Sequence, residues 1–329
     1  MFEESIEFPE NIFIDKFNFW NIDIDNPYRN IIQIDGIDYI INYLNNETRK
    51  NKGGNSNIFT LHFAQEFEEK GYEDPVSVLK ISKTPLGRRA KPKQIERFEN
   101  EVRALYDCNE KNVENVIKIY HSGFCQVHKH IGTENLVLRF PFYTMEYSEN
   151  DLKQYIETNK LDIYDSISLC IDIANGLKEL KELGYYHRDL KPDNIFMLPD
   201  GWKIGDLGLV DNQNTDFNID NQNELIGPRG WYCPEAMNKY MTEEKGFTFK
   251  FDCKIDHQSD IFQLGEIFWY ILQGNVPIGC VKPTDFRIKN IKLYAIIRTM
   301  LNHSKKKRYE KIEEVIRLLN PIHLEYFKQ

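Results

Sequence analysis

The feature that most constrains the fold is a change of hydrophobic period near residues 147–151. Before it, apolar residues come in short runs: IDYIINYL at 37–44, IFTLHF at 58–63 and PVSVLKIS at 75–82. Runs of this length, rich in β-branched and aromatic residues and joined by polar loops such as NNETRKNKGGNSN, predict an antiparallel sheet. Two further strands are expected at 116–121 and 135–147. One helix interrupts them, starting at Pro92, with Ile95, Phe98, Val102 and Leu105 as its stripe. After residue 147 the period becomes helical. Ile167, Cys170, Ile171, Ala174, Leu177 and Leu180 share a helix face, with Asp165 or Ser166 as its cap and Gly184 as its end. Residues 260–272 are apolar nearly all round, which predicts a helix buried on every side. The expectation is an α+β fold: residues 1–35 an extension of unassigned role, 36–147 a small antiparallel β-sheet lobe, and 148–329 a larger, mainly α-helical lobe.

Composition narrows the function. Of 329 residues, 51 are acidic and 42 basic, a net charge of −9, which argues against a nucleic-acid partner. The most apolar segment, 261–272, carries Gln263 and Glu266 and is too short to span a bilayer, so no membrane partner is expected. The acidic start, MFEESIEFPE, does not read as a signal peptide. Six cysteines without CxxC spacing read as reduced thiols, and the expected location is cytoplasmic. His121, Cys125, His128 and His130 lack a matching second pair of ligands, so a metal there is not expected. Arg88, Arg89, Lys91 and Lys93 read as a solvated basic loop.

The chemistry concentrates in His187-Arg188-Asp189-Leu190-Lys191-Pro192-Asp193-Asn194, directly after the long helix. Asp206-Leu207-Gly208 follows beyond a short strand. Together these resemble the catalytic loop (H-R-D-x-K-x-x-N) and metal loop (D-F-G) of the eukaryotic-type, or Hanks-type, Ser/Thr protein kinase family. The resemblance implies a two-lobed protein kinase-like fold and transfer of the γ-phosphate of Mg-ATP to Ser or Thr hydroxyls of a protein, itself included. Asp189 would be the catalytic base and Lys191 the charge stabiliser. Asn194 and Asp206 are hard oxygen donors suited to Mg²⁺, for which Mn²⁺ can substitute.

Independent segments fit the same reading. Lys80 shares a strand face with Val76 and Val78, where a lysine needs an anion. Glu101, on one helix face with Phe98 and Leu105, is the expected partner. The resemblance implies that Lys80 holds ATP phosphates and Glu101 positions it. It also implies that Met145, Glu146 and Tyr147 form the adenine-binding hinge, with Met145 as gatekeeper. Val78 and Phe196 would sandwich the base, and Asp151 would meet the ribose. Residues 227–235 (GPRGWYCPE) resemble the segment that closes the activation loop, and Arg308 resembles the arginine that pairs with its glutamate, Glu235.

Four positions depart from the family pattern. Gly53-Gly54, beside Arg49, Lys50 and Lys52, stands where G-x-G-x-x-G is usual. Leu207 replaces Phe, Pro228 replaces Thr, and Cys233 replaces Ala. Residues 209–226 hold Asp211, Asp216, Asp220 and Glu224, no basic residue, and one hydroxyl, Thr215. Either phosphorylated Thr215 or these acids would engage Arg188, and the acidic loop points to basic substrates. The rivals are a pseudokinase or nucleotide-binding scaffold without turnover, an AMP-transferring enzyme and a small-molecule kinase. The sequence leaves the oligomeric state open.

Overall fold

The computed structural model describes residues 4–44, 56–71, 75–87, 91–213, 219–243, 245–246 and 248–327. Gly53, Gly54 and Thr215, with Arg88 and Arg89, lie outside them. The chain forms two compact units, residues 1–106 with 118–147, and residues 107–117 with 148–329. Residues 107–117 include the last turn of the long helix Pro92–Glu110, yet they group with the second unit. There Ile117 N donates to Ile204 O and Val116 bridges to Ile204.

The first unit is a sheet with one long helix. Its strands are β1 (Glu4–Glu7), β2 (Phe13–Ile14), β3 (Trp20–Asn21), β4 (Ile31–Ile34), β5 (Ile37–Tyr43), β6 (Ser56–Phe63), β7 (Ser77–Ser82), β8 (Ile119–Ile131) and β9 (Glu134–Met145). Helix α1 (Phe67–Lys70) is a single turn. Helix α2 (Pro92–Glu110) starts at the expected proline. The order is β3-β2-β8-β9-β7-β6-β5-β4, with β1 also paired to β8. Asp35 and Gly36, both at positive φ, make the two-residue turn between β4 and β5, the backbone that Asp-Gly favours. Strands β8 and β9 form one hairpin across Gly132, longer than the two separate strands expected. The expected strand at 116–121 thus starts later and runs on to Ile131.

Residues 4–34, unassigned in the sequence, supply strands and core. Ile6, Phe8, Ile12, Ile14, Trp20 and Ile22 pack with Phe59, Leu79, Phe140 and Phe142 in one buried cluster. Trp20 is the hub, its ring meeting Phe8 at 5.5 Å and Phe59 at 5.3 Å. The parallel pairing of β1 to β8 needs glycine at 123: a Cβ there would lie 2.0 Å from Glu4 O.

The second unit contains α3 (Leu152–Thr158), α4 (Ile163–Glu182), β10 (Tyr185–Tyr186), β11 (Ile195–Leu198), β12 (Gly201–Ile204), β13 (Asp211–Asn212), α5 (Pro234–Thr242), α6 (His257–Gln273), α7 (Ile291–Met300) and α8 (Ile312–Phe327). The cap of α4 is Asp162, whose side chain accepts from Asp165 N. Asp165, expected as the cap, instead sits in the first turn, where its charge still faces the positive helix end. Gly184 follows the helix at φ +86° as expected. Helix α6 is buried along almost its whole length, capped by Asp256 and ended by Gly274 in the left-handed region. No described helix is long and apolar enough to cross a membrane. All six cysteines are free thiols. Among the described residues no cluster of three or more His, Cys, Asp or Glu could hold a metal, and His121, Cys125, His128 and His130 are strung along β8.

The Gly123→Ala variant is expected to force β1 off β8 and to lower unfolding stability by about 1–3 kcal/mol, the usual cost of overpacking. Urea denaturation checks this.

Candidate active site

In the first unit, the antiparallel pairing of β7 with β9 puts Lys80 opposite Tyr143 and Val78 opposite Met145. Lys80 is 5% and Glu101 2% exposed, and Lys80 Nζ meets Glu101 Oε1 at 2.7 Å. The Tyr143 hydroxyl donates to the same oxygen at 2.9 Å, and its ring lies 5.5 Å from Lys80 Nζ. A buried carboxylate is costly unless paired. Here a cation and a phenol share it, so the ammonium is held in one place. Tyr143 was not foreseen; the signal was available in strand alternation, once β9 is paired with β7.

In the second unit, the candidate catalytic loop 187–194 hangs from the start of α6. The fully buried Asp260 accepts His187 N at 2.9 Å and Arg188 N at 2.8 Å. Burial pushes its carboxyl up to about 7, against these hydrogen bonds and the Arg188 charge. Asp189 N donates to His187 Nδ1 at 3.2 Å, which leaves Nε2 to donate to Gly205 O at 3.1 Å. The ring is therefore neutral, and burial lowers its pKa to about 4. Arg188 and Asp206 both adopt positive φ, +65° and +53°. For side-chain-bearing residues this costs of order 1–3 kcal/mol each.

The β11–β12 hairpin brings the predicted metal ligands together. Ile195 pairs with Ile204, and Gly205 N donates to Asn194 O at 2.9 Å, so Asn194 and Asp206 emerge side by side. Asn194 Nδ2 donates to Asp189 O at 2.8 Å and to Asp189 Oδ2 at 3.0 Å, which turns its Oδ1 away from Asp189. That leaves an amide oxygen and a carboxylate as hard donors, a set that fits Mg²⁺ bound chiefly through phosphates and water. Lys191 Nζ reaches Asp189 Oδ2 directly at 3.6 Å, with no hydroxyl at position 228. Desolvation, reinforced by Asp206 and opposed by Lys191 and Asn194, raises the Asp189 carboxyl to about 6.

Arg188 turns to the activation segment. Its Nε donates to Leu209 O at 2.7 Å, and Nη1 meets Asp220 Oδ2 at 2.7 Å and Asp211 Oδ2 at 3.3 Å. Nη2 adds Asp220 Oδ1 at 3.4 Å. Arg308 and Glu235, both buried, form the foreseen pair through two contacts, 3.0 and 3.3 Å, with Ser259 Oγ donating to Glu235 at 3.0 Å. Gln263, not foreseen, links this frame to the loop by accepting Leu190 N and donating to Trp231 O.

Other predicted residues have clear local roles. Asp151 caps α3 by accepting Gln154 N at 2.8 Å in a capping box. Phe196 packs its ring where a Cβ on Gly205 would sit, 2.7 Å away. Glu146 N donates to Lys118 O, and its carboxylate accepts Lys118 N at 2.9 Å. Met145 and Tyr147 are half-buried beside it.

Replacing Arg308 by Met is expected to cost about 3–5 kcal/mol of stability, since Glu235 is left buried without its cation. Adding Glu235→Leu should recover part of that loss. Urea unfolding of the single and double variants measures both.

A family profile described as the protein kinase domain matches residues 70–324. The chain is 26% identical over 213 residues to a probable serine/threonine-protein kinase of Clostridium perfringens, covering 64% of this chain and 27% of that protein. It is 29% identical over 182 residues to human serine/threonine-protein kinase tousled-like 1, 49% of this chain and 23% of the relative. It is also 27% identical over 157 residues to the Drosophila melanogaster tyrosine-protein kinase hopscotch, 43% and 12%. The chain thus spans at most about a quarter of the length of these relatives. With the profile spanning well over half of the chain and the catalytic loop, Lys80–Glu101 pair and Glu235–Arg308 pair in place, the chain belongs to the protein kinase domain family.

Proposed function

We propose that the protein is a Ser/Thr protein kinase that transfers the γ-phosphate of Mg-ATP to a protein hydroxyl. The observation that carries this reading is the preserved set around Asp189: Asn194 fixing one carboxylate oxygen, Lys191 beside it, and Asp206 next to Asn194 across the hairpin. A protein with no turnover has no chemical need to keep four such groups together. Asn194 and Asp206 would hold the divalent ion, and Lys80, fixed by Glu101 and Tyr143, would hold phosphate oxygens. The bound ion supplies neutralisation of the charge that develops on the transferring phosphoryl group. Asp189 accepts the proton of the incoming hydroxyl through Oδ1, since Oδ2 is occupied by Asn194. Lys191 contributes positive charge where the transfer takes place. Its presence supports Ser/Thr over Tyr as acceptor.

A basic substrate is favoured by charge. Burial first, then Glu157, Asp193 and Asp151, raise the Tyr270 phenol above its ordinary value, so three carboxylates lie near this half-buried residue of α6. Arg188 is engaged by Asp220 and Asp211, which supports the reading that the loop's own acids, rather than a phosphate on Thr215, hold the activation segment.

With γ-labelled ATP and Mg²⁺, the protein is expected to label itself or a basic model protein on Ser or Thr. Asp189→Asn and Asp206→Ala should each abolish the label. The wild-type kcat/KM should fall as pH drops through about 6, because the raised Asp189 carboxyl must be ionised to accept a proton. ATP binding without transfer in any of these assays would favour the scaffold reading. A gain of AMP rather than phosphate, read by mass spectrometry, would replace the reaction.

Asp220→Asn is expected to lower the rate roughly tenfold, since a charge-assisted contact becomes a neutral one. Thr215→Ala should stay within about twofold of wild type, because the carboxylate contacts remain. The opposite pattern in steady-state rates would assign control to Thr215 phosphorylation.

A further inference from the structure

The first unit contains a cavity of about 320 Å³ between the β2–β3 hairpin and the sheet strands β6, β8 and β9. Its walls are Ile14, Trp20, Leu138 and Phe140, three of them buried in the core. Two ammonium groups, Lys83 and Lys129, reach the same space, and no Asp or Glu is among the described lining residues. Asn18 steadies Lys129 by accepting its Nζ at 2.5 Å. The apolar surface does not stop at the cavity. Alternation along the hairpin puts Leu136 on the same face as Leu138, and Ile131 on the same face as Lys129. Leu136 and Ile131 are 43% and 41% exposed. In a chain of net charge −9, two cations beside an apolar interior suit a ligand that is both anionic and apolar.

We propose that this cavity binds a small amphipathic organic anion, with its apolar chain against Trp20, Leu138 and Phe140 and its acid head on Lys83 and Lys129. The volume lies at the lower end of ligand pockets, which run from about 300 to 1,000 Å³, and suits a molecule of roughly ten to fifteen non-hydrogen atoms. Desolvation already holds the Lys83 ammonium below the ordinary lysine range, and a bound carboxylate would oppose that shift. A ligand here would bridge the N-terminal hairpin to the end of β7, the strand that carries Lys80. The binding itself does not depend on the phosphoryl-transfer reading.

Calorimetric titration of the full chain with octanoate tests the site, with octan-1-ol and inorganic phosphate as separate arms. One octanoate is expected per chain with a Kd on the order of 10⁻⁴ M, typical for a ligand of this size. Lys83→Met with Lys129→Met should weaken binding by at least about tenfold, the cost of losing charge-assisted contacts. Leu138→Trp should abolish it by filling the cavity. The lysine pair lies at the surface and tests the site even if Leu138→Trp does not fold, which near-UV circular dichroism reports. No saturable octanoate binding would overturn the proposal. So would octan-1-ol binding as tightly as octanoate, which would leave a merely apolar void. Phosphate binding as tightly would leave a merely cationic patch and overturn it equally.

Discussion

The loop 187–194 depends on one buried carboxylate. Asp260 sits in the first turn of α6, wholly removed from water, and accepts the backbone N–H groups of His187 and Arg188. Burying a carboxylate is unfavourable, as its pKa of about 7 records. The two amide donors and the Arg188 charge offset that cost, and in doing so they hold Arg188 in a backbone region that side chains avoid. From this anchor a chain of contacts runs through the neutral His187 ring to Gly205, and from Gly205 to Asn194. The positions of Asp189, Asn194 and Asp206 are thus set by α6, the most completely buried helix of the second unit.

The first unit uses the same logic with other partners. Glu101 is buried to place Lys80, and Tyr143 completes the carboxylate's hydrogen bonding from the neighbouring strand. A rigid sheet is needed behind β7 for this to work. The N-terminal strands provide it by pairing β1 and β2 with β8 and by filling the interior with Ile6, Ile14 and Trp20.

Much of the candidate site was legible because the proposed reaction, phosphoryl transfer, calls for particular residue types at fixed spacing. Asp189, Lys191, Asn194 and Asp206 could be read directly, and so could Lys80, because a lysine on an apolar strand face requires an anion. The Glu235–Arg308 pair was legible only through the resemblance to the family's pattern. Tyr143 and Gln263 were not, since each acts through a partner far away in sequence. The first 35 residues were unreadable because β1, β2 and β3 are two to four residues long. Strands so short carry no period, and Asp35-Gly36 was the one local signal of the hairpin they lead into.

The sequence by itself determined the fold class through its change of period, and the resemblance of its motifs gave the kinase family and the candidate residues for its chemistry, because period and spacing are local properties. Tertiary structure alone decided which acids meet Arg188, that the N-terminal segment belongs to the sheet core, and that a cation-lined cavity opens beneath its hairpin. Those outcomes depend on strand register and on the burial of charge, and both are settled only when distant segments pack together.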